Sequence, residues 1–230
     1  MKLPFLVKVE PKTRFPLVVV PETNYALAWL PVTKIQIEYF LCETMDSQFD
    51  RRWYLERLKH SPRVTTEELT IDTIRQTFMT HLLFHEARTL SGWWGRDTDL
   101  PTLAEWRKAL DIFDQVAAHD DFVEEVAAMP GLHPHARFLL RRVEQILSSR
   151  SYSHTAQTRL FSHQLLMRSG ILEYVYKDEH RDSCVACGSL QRFSERVRPF
   201  EESFITQLRS ADTGERIQHL GFRLIVRNPV

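Results

Sequence analysis

Asparagine and glycine are nearly missing from this 230-residue chain: Asn24 and Asn228 are its only asparagines, and it has 7 glycines. Long Gly/Asn-rich loops therefore make up little of it. Cysteine is also sparse. Cys42, Cys184 and Cys187 are odd in number and lack the spacing of a disulfide framework, which favours a reducing compartment. Neither sign of charge is in excess, since Lys+Arg and Asp+Glu are 30 each, so no global field would draw the chain to nucleic acid or an anionic membrane. No window approaches the roughly 20 apolar residues of a transmembrane helix. The apolar start, Met1 to Val7, is interrupted by Lys8 and Glu10 and reads as a strand, not a signal peptide. The expectation is a soluble, cytoplasmic protein without a membrane partner. Gly-x-Ser-x-Gly, P-loop and dinucleotide fingerprints are absent as well, leaving nucleophilic hydrolysis, phosphoryl transfer and Rossmann redox chemistry without a sequence basis.

What is present reads as one mixed domain over 1–230. β-branched and aromatic runs at 3–9, 15–20 and 25–30, punctuated by Pro11, Pro16 and Pro21, predict three strands. Thr33 caps a helix running to about Glu43. Thr65 and Glu68 have capping-box spacing and predict a helix through Leu69, Ile71, Ile74 and Phe78. Glu86 to Leu90 predicts another that stops by Gly95. Thr102 and Glu105 form a further capping box, opening a helical region to about Ser149 that breaks at Pro130-Gly131. Leu103, Trp106, Leu110, Phe113 and Val116 share one face of it; Phe138, Leu139, Val143 and Ile146 form a second apolar stripe. Gly221 to Val226 reads as one closing strand.

Several segments carry a resemblance. Pro31-Val32-Thr33-Lys34 with Gln36 and Tyr39-Phe40 comes first, then Phe84-His85-Glu86-Ala87 through Trp93 and Gly95 to Leu100-Pro101-Thr102 and Glu105-Trp106. Gly170 to Val175 and Cys187-Gly188-Ser189-Leu190 with Gly221-Phe222-Arg223-Leu224 follow in order. Together these blocks resemble the formylglycine-generating (sulfatase-modifying) enzyme family, decorated relatives of C-type lectins. The resemblance implies an α+β fold of short, irregular antiparallel sheets flanked by helices, with both ends of the chain in one sheet region.

The departures shape the functional expectation. Active members of that family bind copper through a cysteine pair after the block that Cys187-Gly188-Ser189 resembles, yet Gln191 to Leu220 contains no cysteine. The related sulfoxide synthases hold iron through histidines mostly from an added N-terminal helical domain, and none precedes Met1. The family's Gly/Asn/Asp-rich middle is here a helical replacement at about 107–168, with Gly131 as the only glycine between Trp106 and Gly170. The resemblance thus implies a pseudoenzyme with no cofactor: a protein-interaction adaptor presenting the helices of 107–168 to a protein partner, by analogy an accessory part of a bacterial defence or signalling system. The alternatives are a metal-dependent oxidase or oxygenase with a relocated Cys/His site, and a nucleic-acid-binding accessory protein.

Individual residues are weighed against plainer roles. His180, Cys184 and Cys187 offer three zinc ligands, with His133 or His135 as distant fourths, but the spacing lacks a second Cys/His pair and favours two free core thiols. His81 and His85 precede Glu86 in an order unlike that of zinc proteases, and packing or capping roles are expected. Asp120, Asp121, Glu124 and Glu125 beside His119 read as a solvated helix face. Arg137, Arg141 and Arg142, with Arg150 and the His133/His135 pair, form a basic stripe that offers itself to an acidic protein partner or to nucleic-acid phosphates. Trp93 and Trp94 suggest a ligand platform, though at least one is expected in the core with Trp29 and Trp106.

Overall fold

Two sheets divide the strands of this computed structural model, which describes residues 5–44, 48–65, 68–70, 72–116, 120–148, 160–168, 170–189, 205–206 and 216–229. The first sheet holds β1 (Val7–Val9), β2 (Pro16–Val19), β3 (Tyr25–Ala28), β4 (Thr98–Asp99) and β9 (Ile225–Arg227), in the order β1-β2-β3-β9-β4, with antiparallel neighbours throughout. Pro16 sits at the first position of its strand, where a missing N–H is tolerated. The second sheet has the order β7-β6-β5-β8, from β5 (Leu172–Tyr176), β6 (Cys184–Cys187), β7 (Ile205–Thr206) and β8 (Leu220–Phe222); only β5 and β8 run parallel. The architecture is α+β, and strands from both ends of the chain share the first sheet.

Helices α1 (Lys34–Glu43), α2 (Arg51–His60) and α3 (Phe84–Gly92) come before β4, and α4 (Leu103–Asp114), α5 (Asp120–Ala127), α6 (Pro134–Ser148) and α7 (Phe161–Gln164) follow it. Their starts have local causes. Thr33 Oγ1 accepts from Gln36 N at 3.4 Å while Gln36 Oε1 accepts from Thr33 N at 3.0 Å. Thr102 and Glu105 do the same for α4, at 3.2 and 2.7 Å. Asp50 Oδ1 accepts from Trp53 N at 2.7 Å and opens α2, a helix the hydrophobic pattern does not announce because charged residues dominate it. α3 has only the carboxylate half of a box, Glu86 Oε2 accepting from Leu83 N at 2.8 Å, since Leu83 offers no acceptor. Among the described residues no helix is long and apolar enough to cross a membrane.

Strand alternation sends side chains into two cores. Tyr25 and Leu27 of β3, Val18 of β2 and Val175 of β5 join the helices α4–α7 in one, where Phe161 meets Phe5, Phe113, Phe122 and Trp29 at ring separations of 4.8 to 5.3 Å. Ala26, Ala28, Leu17, Tyr174 and Tyr176 join α1–α3 in the other. Between Leu103 and Gln164 the described residues carry the helices α4 to α7, and Trp106, Ala109, Leu110 and Phe113 are the fully buried face of α4.

Two expectations need correction. Thr65 N and Oγ1 do reach Glu68 Oε2, at 3.0 and 2.9 Å, but no helix follows among the described residues; a single 3-10 turn spans Ile74–Thr77 and Phe78 bridges to Thr33. Competing local bonds explain it: Thr70 N donates to Thr73 Oγ1, Thr73 Oγ1 to Glu68 O, and Arg142 Nε to Leu69 O at 2.7 Å. The closing strand is likewise two strands in two sheets, β8 and β9, separated by Arg223 and Leu224. Gly221 permits the close passage, because a Cβ there would stand 2.5 Å from the Met79 carbonyl oxygen.

Candidate functional site

The crossing from β8 to β9 places Arg223 at the centre of the molecule. Its side chain is 0% exposed and that of Glu173 on β5 is 1% exposed. Nε and Nη2 donate to Glu173 at 3.0 and 2.7 Å, Nη1 donates to the carbonyls of Ala28 and Trp29, and Nη2 also to Leu165 O. Trp106 Nε1 adds a further donor to Glu173 Oε2 at 3.2 Å. A second buried carboxylate, Glu86, accepts from Trp53 Nε1, Arg57 Nη2, Leu83 N and both terminal nitrogens of Arg216. Burial alone would raise the Glu86 pKa, but the bonds from Arg216, Leu83, Trp53 and Arg57 prevail and hold it near 2. Both carboxylates are taken up by donors of the fold itself and organise its segments.

Several polar side chains line a cavity of about 400 Å³. It opens where the start of α1, the segment after α2, the 3-10 turn and the start of α6 meet. Lys34 is the most constrained of them. Its Nζ donates to Ser61 Oγ at 2.9 Å, Pro62 O at 3.1 Å and Gln76 O, one acceptor for each N–H of an ammonium. Burial pushes its pKa down to about 7 while the charge of Glu38 opposes the shift. A lysine titrating there invites a Schiff-base reading, but three acceptors around Nζ favour the ammonium over the free amine that reaction needs.

The remaining polar wall is less committed. Arg63 is 60% exposed and meets Glu38 Oε2 through Nη2 at 3.1 Å, which among the described residues leaves other N–H donors of its fork open. His135 is held neutral down to about pH 4 by burial first, with His133 and Arg63 reinforcing the effect. The Thr77 hydroxyl is buried without a hydrogen-bond partner among the described residues, on a side chain whose residue is 7% exposed. Ile35 and Val64 supply apolar wall, and no carboxylate is among the described residues that line the space. A pocket of donors and positive charge with no base beside a nucleophile is built to bind rather than to react.

The structure does not bring His180, Cys184 and Cys187 together. His180 is exposed in a turn, and the two cysteines, an odd number of residues apart on β6, point to opposite faces: Cys184 into one core and Cys187 into the other. Burial and the neighbouring Glu173 push the Cys187 thiol well above its ordinary range, which makes it inert. Among the described residues no group of three or more His, Cys, Asp or Glu is placed to hold a metal. His81, at φ +61°, stacks on His60 at 4.1 Å, whereas His85 lies inside α3, so the two share no helix face.

The predicted basic stripe is also engaged within the fold. Arg137 Nη2 donates to Met129 O at 2.9 Å, Arg142 Nε to Leu69 O, and Arg141 forms a two-pronged pair with Glu124. The first two close turns, which is why their positive charge is not the open patch the spacing suggests. Arg150 and His119 lie outside the described residues. Asp121 and Glu124 are exposed as expected. His133 packs against Phe15 and meets Tyr39 Oη at 2.9 Å. Trp94 is buried, and half-buried Trp93 carries Lys12 Nζ 4.5 Å over its ring. Sequence reasoning missed Arg63, Gln76 and Thr77, which come from segments without motif character; the only signal for Lys34 was its place beside the Thr33 cap. The chain matches no protein-family model and no curated protein.

Proposed function

We propose that this protein is a non-catalytic interaction module on a diverged formylglycine-generating-enzyme/C-type-lectin-like scaffold. It would present the α4–α7 helices to a protein partner. One observation supports the reading above others: the polar and charged residues of the resembling blocks work as framework. Thr33, Thr102 and Glu105 cap helices, Glu86 gathers two arginines, and Glu173 with Arg223 joins the sheets. Cys184 and Cys187, the residues a relocated redox site would need, face separate cores.

The outer side of the helical region has the character of a contact surface. Pro134, Phe138, Arg141 and Gln145 are exposed at helical spacing on α6, with the Phe138 ring 37% exposed among them. Arg141 and Glu124 flank it as a charged rim. Affinity purification of the tagged full chain from its native cell tests this. The same protein should co-elute in repeat experiments and should be lost with Phe138→Asp combined with Arg141→Glu. A stoichiometric copper, iron or zinc that disappears with Cys184→Ser would overturn the reading. So would salt-sensitive retention on nucleic acid that is abolished by Arg137/Arg141/Arg142→Ala.

A further inference from the structure

We propose that the cavity between α1 and α6 is a binding site for a small organic oxyanion, a phosphate-bearing molecule with a compact apolar body. Its lining is one-sided in charge. Lys34 and Arg63 contribute positive charge, Arg63 through a guanidinium that Glu38 meets at 3.1 Å from outside the lining, and no carboxylate is among the described residues that line the space.

The division of labour among these groups matches an anion with a body. Lys34 is fixed by its three acceptors and acts through its charge, whereas Arg63 retains free geometry for a bidentate grip on an oxyanion. Ile35 and Val64 would contact the apolar part. The volume, about 400 Å³, lies in the range of small-molecule sites and exceeds what a bare phosphate fills. His135 adds an imidazole from α6, while Lys34, Arg63 and Thr77 come from the other side of the cavity. An occupant therefore bridges α6 and the framework, and its binding should restrain the start of α6.

Calorimetric titration of the full chain with phenyl phosphate, inorganic phosphate and benzoate at low ionic strength is the test. Saturable one-to-one binding of phenyl phosphate is expected, tighter than that of inorganic phosphate, and weakened by about tenfold or more in Arg63→Ala and His135→Ala. Arg63→Lys should restore it in part. Both positions are at least partly exposed, so those variants should fold; Lys34→Met is a poorer probe because three segments depend on it. Hydrogen exchange at residues 133–137 should slow when phenyl phosphate is present. No saturable binding at millimolar concentration would overturn the proposal. Binding indifferent to Arg63→Ala and His135→Ala would do so too, as would benzoate binding more tightly than phenyl phosphate.

Discussion

The Glu173–Arg223 junction and the Lys34–Arg63 cavity both place cations near the protein interior, yet they differ in what is left over. At the junction all three guanidinium nitrogens of Arg223 and both oxygens of Glu173 find partners inside the fold. At the cavity Arg63 is only half engaged and Thr77 Oγ1 is unmatched among the described residues. Burial of charge by itself is thus a poor guide to function. The surplus of hydrogen-bonding capacity is the better one.

That contrast can be broken at its strong end first. Arg223→Met leaves Glu173 as an unpaired buried charge and should destabilise by about 3–5 kcal/mol, read from denaturant unfolding. Adding Glu173→Leu should recover only part of the loss, because the carbonyls of Ala28, Trp29 and Leu165 would still lack the Arg223 donors.

A second, smaller effect is pH dependence. Burial, reinforced by Arg168, lowers the His163 pKa from 6.5 to about 4. As pH falls from 6.5 to 4 the unfolded chain takes up this proton before the folded one, so stability drops across that window. Glu86, depressed from 4.5 to about 2, contributes stability that is lost lower still. Urea midpoints should track the first decline, and His163→Leu should flatten it, leaving the share due to His135. The smallest effect is expected at the cavity. Arg63→Ala removes one exposed pair and should change unfolding free energy by less than about 0.5 kcal/mol, while altering anion binding.

Local physics made much of this fold legible in advance. The Thr33 and Thr102 caps, the three early strands and the buried face of α4 follow from contacts within a few residues, which sequence spacing reports directly. The Thr65–Glu68 box is the instructive exception. Its bonds form, but Thr70, Thr73 and the distant Arg142 claim the carbonyls and amides that a helix would need. The junction was hidden for another reason: Glu173 and Arg223 are 50 residues apart and charged, and such residues read as surface until their partner is placed. The cavity draws Lys34, Arg63, Thr77 and His135 from four separate segments, none periodic with respect to the others. The Cys184/Cys187 spacing was readable as chelating only while β6 was not known to be a strand.

One consequence of the two-residue step from β8 to β9 concerns how the molecule comes apart. Because a single guanidinium is anchored to strands of both sheets, loosening either one strips partners from a charge buried against the other. Thermal or chemical denaturation should proceed as one event, and a fragment ending before Gly221 should lack the pivot that joins the halves.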